Sequence, residues 1–364
     1  MSLEVVGLVT LICMFYALMK PIDRSAGTRG HWARGLIALV FSLWYAAGSA
    51  QTADEANAAF AERQAESAFA TSVVLTDAEV LTVGILSFDP DSFIPMGNDQ
   101  FGTEESVGRR DSVTTFTFPW KWTLGPDENR LTPYINGRLS YLETTQDIFR
   151  GSPDEPENGA REESKGRVYG GRVGVGVLYE LTQQWELDAG AGLHLLRYQN
   201  DYTADLTLSP DAGEGVEDLL FDTAATALMA DVQTRATYSS EVRGVPWEYQ
   251  STLSYYAGDT VSSDQGLDDV SPETWSWAKG VTAYWELPEV LGTSNKLRLL
   301  ARRVDVGGDV TLTLETDHYY QMGVSWLFDI DGPSWLDNLG AGIMVNYGSA
   351  LSGGSFMILY NEDW

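Results

Sequence analysis

From Ser72 to the last residue, apolar and polar side chains alternate in stretches of about ten, split by clusters of Gly, Pro, Asn and Asp. A strand turns successive side chains to opposite faces, so each stretch predicts a strand with one apolar and one mixed face. In 115–124 the apolar parity is Phe116, Phe118, Trp120, Trp122 and Leu124, against Thr117, Pro119, Lys121 and Thr123. In 169–181 it is Tyr169, Val173, Val175, Val177, Tyr179 and Leu181, against Arg172, Gly174, Gly176 and Glu180. Trp185, Leu187, Ala189, Ala191, Leu193 and Leu195 oppose Glu186, Asp188, Gly190, Gly192 and His194. The same rhythm returns around Val232, Tyr249, Val281, Val324 and Ile343. Ile135, Leu139 and Tyr141 form a weaker strand, Leu297 and Leu299 leave both faces open, and the first strand falls within Val73 to Phe88. On the final strand Phe356, Ile358, Tyr360 and Trp364 share a face, interrupted by Glu362. The total is about twelve, an even number as bacterial membrane barrels require.

Loop lengths point the same way. With the first strand running outward, the links after odd strands are mostly long and acidic: 89–110, 148–165, 201–220, 258–273 and 306–317. The links after even strands are short: 125–130, 182–184, 243–246, 287–295 and 331–336. Only 349–353, after an odd strand, is also short. Long outer loops alternating with short periplasmic turns are a barrel property, which a soluble sandwich has no reason to show. This topology gathers Trp122, Tyr179, Trp185, Trp247, Trp285 and Trp364 at the periplasmic strand ends. Tyr141, Tyr169, Tyr255, Trp275, Trp277, Tyr320 and Tyr347 gather near the other rim. Rings with an apolar body and a polar edge favour the lipid–water boundary, so these are two aromatic girdles. The predicted fold is all-β, a transmembrane antiparallel up-and-down β-barrel.

Residues 52–70 depart from the pattern. They are rich in Ala, Glu and Gln and free of Gly and Pro, which is helix composition, with Asp54 and Glu55 suited to the first turn. Ahead of them lie two apolar runs, 5–18 and 35–47, with Lys20, Arg24, Arg29 and Arg34 between. Neither reaches the ~20 residues of a membrane helix. The second has a basic approach, an apolar centre and small residues 46–50, so residues 1–50 read as a secretory signal with cleavage before Gln51. Met19 would open a signal of ordinary length, which makes 1–18 a candidate misassigned start. The expected organisation is a signal over 1–50, a helix or plug over 51–71, and a barrel over 72–364.

The whole chain has 52 acids and 23 bases; without 1–50, which hold Glu4, Asp23 and the four bases above, the formal charge is −31. That sign argues against a nucleic-acid partner. Cys13, the sole cysteine, falls in the signal, so the exported chain has no thiol chemistry. The inward parity places Lys121, Arg138, Arg172, Glu186, Asp188, His194, Arg235, Glu248, Glu286, Arg298, Arg302 and Asp329 in the lumen. They would either tune a hydrated pore or pair across it and onto an inserted helix. The inward glycines suit close approach of something held there. No catalytic geometry is indicated: His194 stands mid-strand, and Asp317 and His318, as strand neighbours, would point apart. The acidic loops, such as 154–157 and 211–218, match no defined calcium loop, although divalent ions could bridge them to lipopolysaccharide phosphate. An enzyme, a cofactor and a resident metal are therefore not expected.

An N-terminal helix, a barrel of about twelve strands and a terminal aromatic together resemble the autotransporter translocator domain, over residues 52–364. The resemblance rests on architecture and on Tyr360 and Trp364. Only a few residues separate Gln51 from the helix, so the expected protein is a solitary autotransporter-like barrel without a passenger. It implies the bacterial outer membrane, with the helix in the lumen and a monomeric state. Partners would be outer-membrane lipid and lipopolysaccharide, and the barrel-assembly machinery, reached through Phe356, Ile358, Tyr360 and Trp364. The implied role is a structural or interaction barrel at the surface, with a small-solute or ion channel as the alternative.

Overall fold

Alternation becomes a closed surface in the computed structural model, where each strand pairs with its chain neighbours and the last pairs with the first. The strands are β1 (Thr82–Gly84), β2 (Ser112–Thr123), β3 (Leu131–Arg150), β4 (Ala160–Glu180), β5 (Trp185–Thr203), β6 (Ala224–Val242), β7 (Val245–Ser263), β8 (Glu273–Val290), β9 (Thr293–Gly308), β10 (His318–Asp329), β11 (Asn338–Tyr347) and β12 (Gly353–Tyr360). Among the described residues two helices accompany them, α1 (Ala53–Leu75) and α2 (Val310–Leu314). The structure describes residues 53–77, 82–84, 112–125, 130–150, 160–203, 223–263, 267, 270–290, 293–330, 338–347 and 353–360. All pairings are antiparallel, as an up-and-down barrel requires. Closure leaves no sheet edge, so backbone polar groups find partners inside a lipid slab. Among the described residues no helix is long and apolar enough to cross a membrane.

The parity read from sequence fixes the two faces. On β6, Leu228 and Val232 are exposed outward, while Ala227, Met229 and Asp231 are buried. Phe118, Leu139, Val173, Val175, Leu193, Leu195, Met322 and Ile343 also stand on the outer wall, where lipid covers them. Turn chemistry sets the short end. Arg243 and Gly244 link β6 to β7 with φ 55° and 81°, the two positive values of the turn that matches strand twist. Before β5, the Thr182 hydroxyl accepts from the Gln184 and Trp185 N–H groups at 3.2 and 3.0 Å.

Several expected boundaries move. The helix runs to Leu75, beyond the expected 52–70, and takes up Val73, Val74 and Leu75 at the edge of the window expected to hold the first strand. The β-branched Val73 and Val74 favour strands, but burial outweighs that preference. The first strand is described only over Thr82–Gly84. β3 and β4 extend into the expected 148–165 loop from both sides, β3 to Arg150 and β4 from Ala160. The 306–317 link contains α2, a helix its Val, Thr and Leu content gave no reason to expect. Residues 1–50, Cys13 and Trp364 lie outside the described residues.

β12 keeps Phe356, Ile358 and Tyr360 on the outward parity, with Met357 and Leu359 buried inward. Its last described side chain reaches across the closure, the Tyr360 hydroxyl donating to the Pro119 carbonyl on β2. The contact ties β12 to a strand two places round the barrel. Tyr360→Phe should therefore lower unfolding stability by about 1 kcal/mol, the net worth of one hydrogen bond. A urea titration of the folded barrel in detergent measures it, and an unchanged midpoint would remove the contact's role in closure.

Candidate functional site

The lumen is where chain chemistry concentrates, and α1 fills its long-loop half. The helix is built from small residues with few large ones, so it fits against wall side chains on several sides. Ala61, Ala65, Phe69, Ala70, Val73 and Val74 are buried against a wall that includes Leu142, Leu196, Tyr198, Met229, Tyr256 and Val304. Phe69 meets the Tyr198 ring edge-on at 5.9 Å between centroids. Polar contacts lie further out. The Ser67 and Thr313 hydroxyls are 2.6 Å apart, joining α1 to α2, and the Ser271 N–H donates to the Glu66 carboxylate at 3.2 Å. Burial lifts the Glu66 carboxyl above its ordinary pKa, and the Ser271 N–H opposes that.

The inner end of α1 carries the anchor. Thr76 folds its hydroxyl back to the Ser72 carbonyl at 2.6 Å. The next residue, Asp77, takes donors from three strands. Arg138 on β3 donates at 2.7 Å, Ser254 on β7 at 3.2 Å and Gln233 on β6 at 3.5 Å, and the Tyr256 hydroxyl also donates to it. A guanidinium at a helix C-terminus is also favoured by the helix dipole.

Two further sets line the wall toward the short turns. Arg172 donates to Asp231 through Nε and Nη2, at 2.9 and 2.7 Å, and through Nη1 to Asn136 at 2.8 Å. His194 Nε2 lies 3.0 Å from the same Asp231, and its ring meets Tyr256 edge-on. The bidentate fork is the strong geometry for a guanidinium and a carboxylate. Below it, Tyr134 donates to Asp188 at 2.6 Å, and Lys121 lies 3.4 Å from that carboxylate and 4.2 Å from the Tyr134 ring centre. The inward glycines make room for these wall groups. A Cβ on Gly192 would stand 2.5 Å from an Asp231 oxygen and 2.7 Å from the Arg172 guanidinium carbon.

The residues read as lumen-lining thus occupy different settings. Arg138, Arg172, Asp188, His194 and Arg298 are buried, and Glu186, Arg235, Glu248, Arg302 and Asp329 are half-buried. Lys121 and Glu286 are exposed at the short-turn end. Arg235 donates to Thr252 at 3.3 Å, Glu248 accepts from Ser239 at 3.4 Å, and Arg302 donates to Gln321. Arg235, Arg298 and Arg302 line a water-accessible cavity of about 100 Å³ beneath Val74 and Asp77. Two central acids escaped the sequence reading as sites. Asp231 had inward parity, but parity does not tell a paired acid from a solvated one; Asp77 lies between helix and strand, where no periodicity applies.

At the outer rim, Asp317 and His318 do not point apart. Asp317 precedes β10, so strand alternation does not govern it, and His318 Nδ1 lies 2.6 Å from its carboxylate. That contact holds the Asp317 carboxyl below its usual pKa. Among the described residues no group of three or more His, Cys, Asp or Glu could hold a metal ion.

Residues 66–362 match the family described as the solitary outer membrane autotransporter β-barrel domain. The β domain of the Bordetella autotransporter Brka is similar in structure, with 14% identity over 69% of this chain and 91% of that one and a TM-score of 0.43. The transport unit of the autotransporter AIDA-I from Escherichia coli is similar at 10% identity, covering 70% and 85%, with a TM-score of 0.43. The translocator domain of NalP from Neisseria meningitidis is similar at 13% identity, covering 74% and 91%, with a TM-score of 0.34. No curated protein sequence matches the chain.

Proposed function

The chain belongs to the solitary outer membrane autotransporter β-barrel family, and from that premise we propose that it is a self-plugged barrel that acts through its long-loop end as a structural or interaction element. The family is one of the bacterial outer membrane. The observation that carries the proposal is the seat of α1. Its apolar side chains are buried against the wall, and Asp77 fastens its inner end to Arg138, Gln233, Ser254 and Tyr256. A helix seated in this way would obstruct the passage of a solute through the lumen. What it presents outward is α2 and the rims of the longest strands, β3 and β4.

Single-channel recording in planar bilayers tests the proposal. The intact chain should stay closed, and deletion of 53–77 should open a steady current. Open-pore conductance of the intact protein would overturn the plugged reading in favour of a small-solute channel. If deletion opened no current in a barrel that still folds, α1 would not be the barrier.

A further inference from the structure

Basic side chains on the outer wall cluster near the long-loop end, and one pair faces lipid. Lys279 on β8 and Arg303 on β9 are register partners on the outward face, although like charges directly opposite repel. Lys279 lies six positions outward of Trp285 and two short of Trp277. With a rise of ~3.3 Å per residue and a tilt of ~40°, that is roughly 15 Å above the inner girdle, in the upper part of the ~25 Å apolar band. One carboxylate serves both cations: Asp305 lies 2.6 Å from Lys279 Nζ and 2.6 Å from the Arg303 guanidinium. The Lys279 ammonium rests 3.7 Å over the Trp277 ring and the Arg303 guanidinium 5.9 Å over Tyr320. Among the described residues Asp305 is the carboxylate bonded to both cations, and the exposed Asp317 at the rim acts on Arg303 only electrostatically.

The wall beside these cations is hollow. Val281, Ala301 and Met322 lie side by side on three strands, and the small Ala301 between two larger side chains lowers the floor. The resulting groove, about 260 Å³, runs between Tyr249 and Tyr320 with Lys279 and Arg303 on its border. We infer that this groove seats a phosphate-bearing lipid of the outer leaflet, with an acyl chain on the Val281–Ala301–Met322 floor and its phosphate between Lys279 and Arg303. Ammonium and guanidinium groups are the usual phosphate partners, and Lys279 and Arg303 stand side by side at the groove with a single carboxylate bonded to both among the described residues. The inference stands apart from the plugged reading, because the site is on the opposite face of the wall. The competing account is a triad that only braces β8 against β9.

Native mass spectrometry of the full chain in detergent, titrated with lipid A, separates them. Lys279→Gln with Arg303→Gln should weaken lipid A binding roughly 30-fold, the loss of two basic contacts to an anionic surface. Ala301→Trp, which fills the floor and leaves every charge, should also weaken it, and Lys279→Arg should retain it. Dephosphorylated lipid A should bind the unaltered protein no better than lipid A binds the double variant. Equal binding of lipid A by the double variant, or of the dephosphorylated lipid by the unaltered protein, would overturn the inference. Inorganic phosphate binding as tightly as lipid A would also overturn it, leaving an anion site without a lipid. Should the double variant fail to fold, Ala301→Trp decides: undiminished lipid A binding sinks the groove.

Discussion

Arg172→Ala should destabilise the folded barrel by about 3–5 kcal/mol, the usual cost of breaking a buried ion pair from one side. Arg172 and Asp231 are both nearly inaccessible to solvent, at 8% and 3% side-chain exposure, and two hydrogen bonds join them. Removing the guanidinium leaves the Asp231 carboxylate in the wall with His194 as its remaining bonded partner among the described residues, and releases Asn136 from its donor. Most of the loss should be the penalty of an uncompensated charge and not the net worth of the pair. The double replacement Arg172→Met with Asp231→Leu should therefore recover much of the stability that Arg172→Ala removes, because both charges then leave together. Urea titrations followed by tryptophan fluorescence in detergent measure both. A loss under about 1 kcal/mol for Arg172→Ala, the range of an exposed pair, would mean that water reaches this part of the lumen.

The second large effect concerns the plug. Asp77→Ala removes the acceptor for Arg138, Ser254, Tyr256 and Gln233 while leaving the apolar seat of α1 intact. If the charged hydrogen bonds at this anchor are worth about 3 kcal/mol together, the population with a displaced helix should rise roughly 100-fold. In planar bilayers the change should appear as brief openings in a protein whose unaltered form stays closed. Phe69→Ala tests the other half of the seat and should also raise opening, through lost packing against Tyr198. Silence from Asp77→Ala would assign retention of the helix to its apolar seat and the contacts at its outer end.

Parity, loop length and aromatic placement carried the barrel, because lipid outside and water inside impose the same period-two code on every strand. That is why Phe118, Val175, Leu193 and Met322 stand outward and Arg138, Arg172, Asp188 and His194 inward, as the alternation requires. The code is local, and it ends where alternation ends. It bounded the first strand only within Val73 to Phe88, which holds Thr82–Gly84, and it did not tell that Val73 and Val74 at the edge of that window continue the helix. It separated Asp317 from His318 because it treated both as strand residues.

The sequence by itself determined the architecture and the face that each strand residue occupies, since both follow from chemistry repeated along the chain. Tertiary structure alone decided which inward charges meet. Asp77 and Arg138 are 61 residues apart and Arg172 and Asp231 are 59 apart, brought together by strand register and by the depth to which α1 enters the barrel. The opposed cations Lys279 and Arg303 likewise exist as a pair only through the register of β8 against β9. Registers and insertion depth are set by closure of the whole barrel, a condition on all twelve strands at once that no single stretch of sequence states.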